Sequence, residues 1–78
     1  MKKDIIEQYY LLCLVDILEG ATIKELNQII KNYEEMELYE ECEGILRGIN
    51  TFKQLGKKEI KNILNERRTK NLEESNRT

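Results

Sequence analysis

Gly20-Ala21-Thr22-Ile23-Lys24-Glu25-Leu26 is the stretch that phases the whole chain. Thr22 and Glu25 have the spacing of a capping box, in which a hydroxyl accepts from a free amide of the first turn while the carboxylate three residues on reaches back to the cap. Gly20 stands where a C-terminal cap is expected, since glycine enters the left-handed region without a Cβ penalty. One helix therefore ends and another begins between residues 20 and 22. Ile23, Leu26, Ile30 and Tyr33, with Ile29 beside them, then repeat at helical spacing and leave Lys24, Asn27, Gln28 and Lys31 to water.

Upstream, residues 3–19 read as a helix that is apolar on two sides. Ile6, Tyr10, Cys13, Leu14, Ile17 and Leu18 cover one broad face, and Ile5, Tyr9 and Leu12 line another. Downstream, a new stripe of Leu38, Cys42, Ile45, Ile49 and Phe52 is out of phase with the one ending at Tyr33, which places a break at Glu35 to Glu37. No glycine or proline marks that break, and one bent helix from Thr22 to Leu55 is the competing reading. Gly56 closes this helix, and Ile60, Ile63 and Leu64 form the narrow stripe of a last one. The expected fold is all-α: a small bundle of three to four helices, about 3–19, 22–35, 37–55 and 57–70. Residues 1–70 form one helical domain, and 71–78 a disordered, frayed tail. Leu26, Ile30, Cys42, Ile45 and Ile49 are its expected core. Gly44 and Gly48, four apart inside the third helix, each cost about 1 kcal/mol against alanine. Two readings of the pair stay open: close approach of another helix, or drift at an exposed site.

A chain of 78 residues makes one domain with a modest core. With 40% hydrophobic and 36% charged residues and no proline, it is too apolar for a disordered chain. Lys, Ile, Asn and Glu supply half of it, the mix of an AT-rich genome such as a low-GC bacterium or its mobile elements. The apolar run from Tyr9 to Val15 is too short to span a bilayer, and Asp4, Glu7 and Asp16 interrupt or end a leader-like pattern that has no cleavage site. A cytoplasmic protein is expected, with Cys13 and Cys42 as buried free thiols.

The residues of chemistry are scarce. Histidine, the usual group titrating near neutrality and a principal zinc ligand, is absent. Ser75 is the sole serine and has no base beside it, and Gly56-Lys57-Lys58 lacks the strand and the upstream glycine of a phosphate loop. No enzyme, cofactor or metal is expected.

Charge carries the strongest signal. Glu34, Glu35, Glu37, Glu40, Glu41 and Glu43 put six carboxylates into ten residues with no cation among them. Lys57, Lys58, Lys61, Arg67, Arg68 and Lys70 face only Glu59 and Glu66, so the last helix carries +4 in a chain of net −2. Two accounts follow. Either the acidic and basic segments pair within the bundle or a dimer, or the acidic block meets a basic surface of a partner, such as a nucleic-acid channel.

Leu11 to Gly20, the Thr22 cap, the Ile23 to Ile30 helix and the helix from Leu38 resemble the opening of a helix-turn-helix domain. The resemblance implies DNA binding, yet Glu37, Glu40, Glu41 and Glu43 stand where phosphates would approach. The stretch from Tyr33 to Cys42, with Ile45 and Ile49, resembles the helical hairpin of UVR-type interaction modules, which implies pairing with a copy or a partner protein. That family's Arg-Asp pair is missing, since Gly48 follows Arg47. The expected function is a non-catalytic protein-interaction module, an inhibitor or regulator from a phage or mobile element that binds a host protein. Its expected surface is Glu34, Glu35, Glu37, Glu40, Glu41 and Glu43 with Ile5, Tyr9 and Leu12, the last three also fitting a homodimer. The alternative is a nucleic-acid-binding transcriptional regulator using Lys57, Lys58, Lys61, Arg67 and Arg68.

Overall fold

The Thr22 capping box forms as its spacing demands. In the computed structural model, which describes the backbone of residues 2–76 and the side chains of 4–67, the Glu25 amide donates to the Thr22 hydroxyl at 3.1 Å. The Thr22 amide donates back to the Glu25 carboxylate at 2.9 Å. That bond, and a second from the Thr22 hydroxyl to the same carboxylate at 3.0 Å, favour its charged form and hold the Glu25 carboxyl below the usual carboxylate range. Helix α1 runs Lys2–Leu18, α2 Ile23–Glu35 and α3 Tyr39–Asn76. The expected all-α bundle is what forms, and no described helix is long and apolar enough to cross a membrane.

Both helix-to-helix turns are closed by the same hydrogen-bond pattern. At the end of α1 the Gly20 amide donates to the Ile17 carbonyl and the Ala21 amide to the Asp16 carbonyl, with Gly20 at φ 108. At the end of α2 the Glu37 amide donates to Glu34 and the Leu38 amide to Tyr33. This is the Schellman closure, with a left-handed residue one position past the cap. In the second turn that residue is Glu37 at φ 61, a conformation that glycine takes freely and glutamate does not. A real break therefore separates α2 from α3, and the single bent helix from Thr22 to Leu55 is excluded.

Gly56 is the one non-helical position inside α3, at φ 82 and ψ 176. It divides α3 into a first arm, 39–55, and a second arm, 57–76. The second arm is helical past the expected end at Lys70, and the side chains of the tail assigned to 71–78 lie outside the described residues.

The first arm runs alongside α1 in the same direction. A Cβ built on Gly44 would stand 2.5 Å from the Ile6 carbonyl oxygen and 2.8 Å from the Tyr9 Cβ. One on Gly48 would stand 2.6 Å from the Cys13 Sγ. The two glycines therefore open a slot into which α1 sinks, deciding between the two readings of the pair. Helix α2 returns antiparallel to the first arm, so that the Cys42 thiol reaches the Ile30 carbonyl at 3.4 Å. The second arm comes back along α1, where Arg67 pairs with Glu7. Arg47 and Arg67, nearly equidistant in sequence from Gly56, line one groove, as an antiparallel return requires.

Between these elements lies one core of Cys13, Leu14, Ile17, Leu26, Ile30, Cys42, Ile45, Ile49 and Ile60. All five expected core residues are in it. Leu38 is not: it precedes the first turn of α3, where its carbonyl accepts from the Cys42 amide, and its side chain is exposed. Helix α1 is apolar on two sides because the two arms of α3 and Tyr33 of α2 claim different faces of it.

Candidate interaction surface

Six carboxylates meet where α2 ends and α3 begins. Glu34 and Glu35 close α2, whose last turn holds no basic residue. There they oppose the negative end of the helix macrodipole, an arrangement that costs a few tenths of a kcal/mol to about 1 kcal/mol per charge. Glu40 and Glu41 occupy the first turn of α3, the favourable end. Glu34, Glu35 and Glu37 are exposed, and Glu40, Glu41 and Glu43 are half-exposed. Among the described residues the only ion pair in this block is Arg47 with Glu43, at 2.7 Å and one helical turn apart. Exposed pairs of that kind contribute about 0.3 to 0.5 kcal/mol, so the field of the block is left largely uncompensated.

Sequence reasoning missed the apolar residues at this corner. Met36, Leu38 and Tyr39 lie within four positions and are 57%, 36% and 60% exposed. Leu46, two turns beyond Tyr39 on the same face of the first arm, is 42% exposed. Large side chains of this kind scattered singly need no explanation, but three in one tight turn amid carboxylates form a patch. The signal available in the sequence was the broken phase: Met36 belongs to neither flanking stripe.

The second expected surface does not form as one face. Tyr9 packs edge-on against Tyr33, with ring centres 6.0 Å apart and planes at 81°, and it lies against the core. Burial, then the neighbouring Tyr9 and the Glu41 charge, raises the Tyr33 phenol above its ordinary range. Ile5 is half-buried, and Leu12 alone of the three stands exposed, next to the exposed Val15 on the outer side of α1. The two aromatic rings thus join α1 to α2.

On the opposite side a groove of about 400 Å³ opens between α1 and the two arms. Most of its polar side chains are already partnered. The Tyr10 and Thr51 hydroxyls are 3.2 Å apart, Thr51 donates to the Arg47 carbonyl at 3.0 Å, and Arg47 and Arg67 are paired with Glu43 and Glu7. The remaining polar residue of its lining, Asn50, is exposed to water. Lys57, Lys58 and Lys61 are exposed on the second arm and in no ion pair among the described residues, Arg67 is exposed, and the Arg68 side chain lies outside them. A whole arm, about 25 Å of helix at 1.5 Å per residue, separates the Tyr39 corner from Lys57.

The two cysteines are free and buried, and no described cluster of His, Cys, Asp or Glu is arranged to hold a metal. The Cys13 thiol approaches the Ile45 carbonyl at 3.5 Å; burial, aided by the Asp16 charge, pushes its pKa up to about 11. Burial also raises Cys42, with Glu34 and Glu41 adding to it. Neutral thiols of this kind are poor nucleophiles. Compared with protein-family models, curated proteins and solved structures, the chain matches none.

Proposed function

We propose that this chain is a non-catalytic protein-interaction module acting in the cytoplasm, and that it works as an inhibitor or regulator by presenting the corner from Glu34 to Glu43 to a basic surface of a partner protein. The observation that supports this reading most is the exposure of Met36, Leu38 and Tyr39 inside a cluster of six carboxylates. Carboxylates steer a basic partner and fix its orientation, and the apolar side chains supply contact area once it has arrived. The half-exposed Glu43 and exposed Leu46 extend the same chemistry along the first arm. Residue usage typical of AT-rich genomes suggests a phage or mobile element as its setting and a host protein as its target.

The test compares three tagged baits in lysate of the source cell, with bound proteins identified by mass spectrometry: the native chain, Met36→Ser/Tyr39→Ser, and Glu35→Gln/Glu37→Gln/Glu40→Gln. All five positions are exposed or half-exposed, so circular dichroism should show the helical fold retained. A protein held by the native chain, released by salt and lost by both variants is the expected partner. Identical sets on all three baits would overturn the reading.

A second reading, nucleic-acid binding by the second arm, is favoured by the exposed Lys57, Lys58 and Lys61, which are in no ion pair among the described residues. Phosphate-driven binding falls steeply with salt. We expect no gel shift with duplex DNA at physiological salt. A salt-sensitive shift lost in Lys57→Gln/Lys58→Gln/Lys61→Gln would put this reading first.

A further inference from the structure

The second arm of α3 is tied to the first through a single residue. On both sides of Gly56 the chain is helical, and only Gly56 departs, at φ 82 and ψ 176. Nothing lies within 4 Å of where its Cβ would be, so an alanine there would meet no neighbouring side chain. Beyond the hinge, the described residues of the arm hold it by apolar contact and one ion pair. Ile60 is fully buried in the cluster that contains Leu14 and Ile17, Ile63 and Leu64 pack against that cluster, and Arg67 pairs with Glu7 of α1.

We infer that the second arm is exchangeable: with Gly56 in helical dihedrals, α3 becomes one continuous helix, and its second arm docks on the α1 of a second copy of this chain. An opened arm cannot stay undocked, because Ile60, Ile63 and Leu64 and the surface they cover would all face water. The partner that fits them is the same chain. A second copy presents the same apolar cluster and the same Glu7, and a two-fold axis satisfies both arms at once. The exchange remakes the packing of Ile60, Ile63 and Leu64 and the Arg67–Glu7 pair between copies, and helical hydrogen bonds are gained across two hinges. Exchange of an identical element through a short hinge is a low-cost route to dimers. The inference stands on the hinge and the arm and is independent of the acidic corner.

Gly56→Ala tests it, since a Cβ disfavours φ 82 while alanine favours the straight helix. The matched control is Gly20→Ala, which has the same open surroundings and φ 108 but sits in a turn between helices of different direction. Light scattering after size exclusion should show Gly56→Ala dimerising with a dissociation constant lower than native by ~tenfold or more, because two hinges straighten per dimer. Gly20→Ala should remain as monomeric as the native chain. To identify the dimer, Gly56→Ala chains carrying Glu7→Cys are refolded with Gly56→Ala chains carrying Arg67→Cys and treated with a short bismaleimide. The native thiols are buried, so the reagent joins only the introduced pair. A link between the two kinds of chain is expected. The same mixture with Gly56 intact should give that product in smaller amount, rising with protein concentration. A monomeric Gly56→Ala, a dimer without the link, or no link at any concentration of the Gly56 chains would each overturn the inference, the last even if Gly56→Ala fails to fold.

Discussion

Glu37 occupies a left-handed position that, where helices end this way, usually goes to glycine. At φ 61 its Cβ crowds the backbone at a cost of roughly 1 kcal/mol, and its carboxylate adds to five others. Glu37→Gly should therefore stabilise the fold by about 0.5 to 1 kcal/mol, a rise in melting temperature of several degrees in a domain of this size. Thermal unfolding followed by circular dichroism checks it, and a lowered melting temperature would show that the carboxylate makes a stabilising contact. Cys13 yields a prediction in pH. Its thiol is raised from an ordinary 9.0 to about 11, so above pH 9 the unfolded chain loses this proton while the folded chain keeps it. The unfolded state then binds fewer protons, and stability falls as pH rises from about 9 to 11, being fully present below 9. Under reducing conditions the urea midpoint of the native chain should drop across this window more steeply than that of Cys13→Ala. Parallel profiles would mean that Cys13 is reached by water.

The slot between α1 and the first arm is the element-scale contact on which the bundle depends. At Gly44 an added methyl meets backbone atoms, Ile6 O at 2.5 Å and Tyr10 N at 2.9 Å, which cannot step aside; at Gly48 it meets the Cys13 side chain. Overpacking costs about 1 to 3 kcal/mol and the gain in helix propensity returns up to about 1, so Gly44→Ala should lose roughly 2 kcal/mol in urea unfolding. Gly48→Ala should lose less, and Cys13→Ala should recover part of that loss, a coupling that a double-mutant cycle measures. Additive effects would place the two residues out of contact. The helices themselves were legible because each carries local marks: the Thr22 box, Gly20, Gly56 and apolar stripes in distinct phases. What the stripes could not tell was which faces meet. Gly44 and Gly48 look alike whether a helix crosses them or water does, and Tyr9 reads as surplus surface until Tyr33 arrives from another helix. The break at Glu37 was placed by phase alone, because a non-glycine residue fills its left-handed position. The Met36 corner was visible as acid but not as an apolar patch, since exposure depends on how the turn closes.

At the scale of the whole molecule, the charge is segregated in a way that stability does not account for. The acidic corner and Lys57 lie at opposite ends of the first arm, and the one ion pair from the second arm to another described element is Arg67 with Glu7, outside the block. Among the described residues, attraction within the bundle therefore leaves five of the six carboxylates without an ion pair, Glu43 alone being paired with Arg47. A surface kept against its own repulsion is what a binding role predicts, because stability and activity then pull on the same residues. Glu35→Lys separates the two. Placing a cation in the last turn of α2 reverses an unfavourable dipole interaction and relieves repulsion from Glu34 and Glu37, so the variant should be more stable by about 0.5 to 1 kcal/mol at low salt, the gain shrinking as salt screens it. If the corner meets a basic partner, the same change should weaken capture of that partner several-fold, chiefly through slower association. Melting curves at two salt concentrations and surface-binding kinetics with the captured partner give both quantities on one protein. A variant that is stabilised and still binds at the native rate would show that the acidic corner serves no partner, and the proposed surface would have to be abandoned.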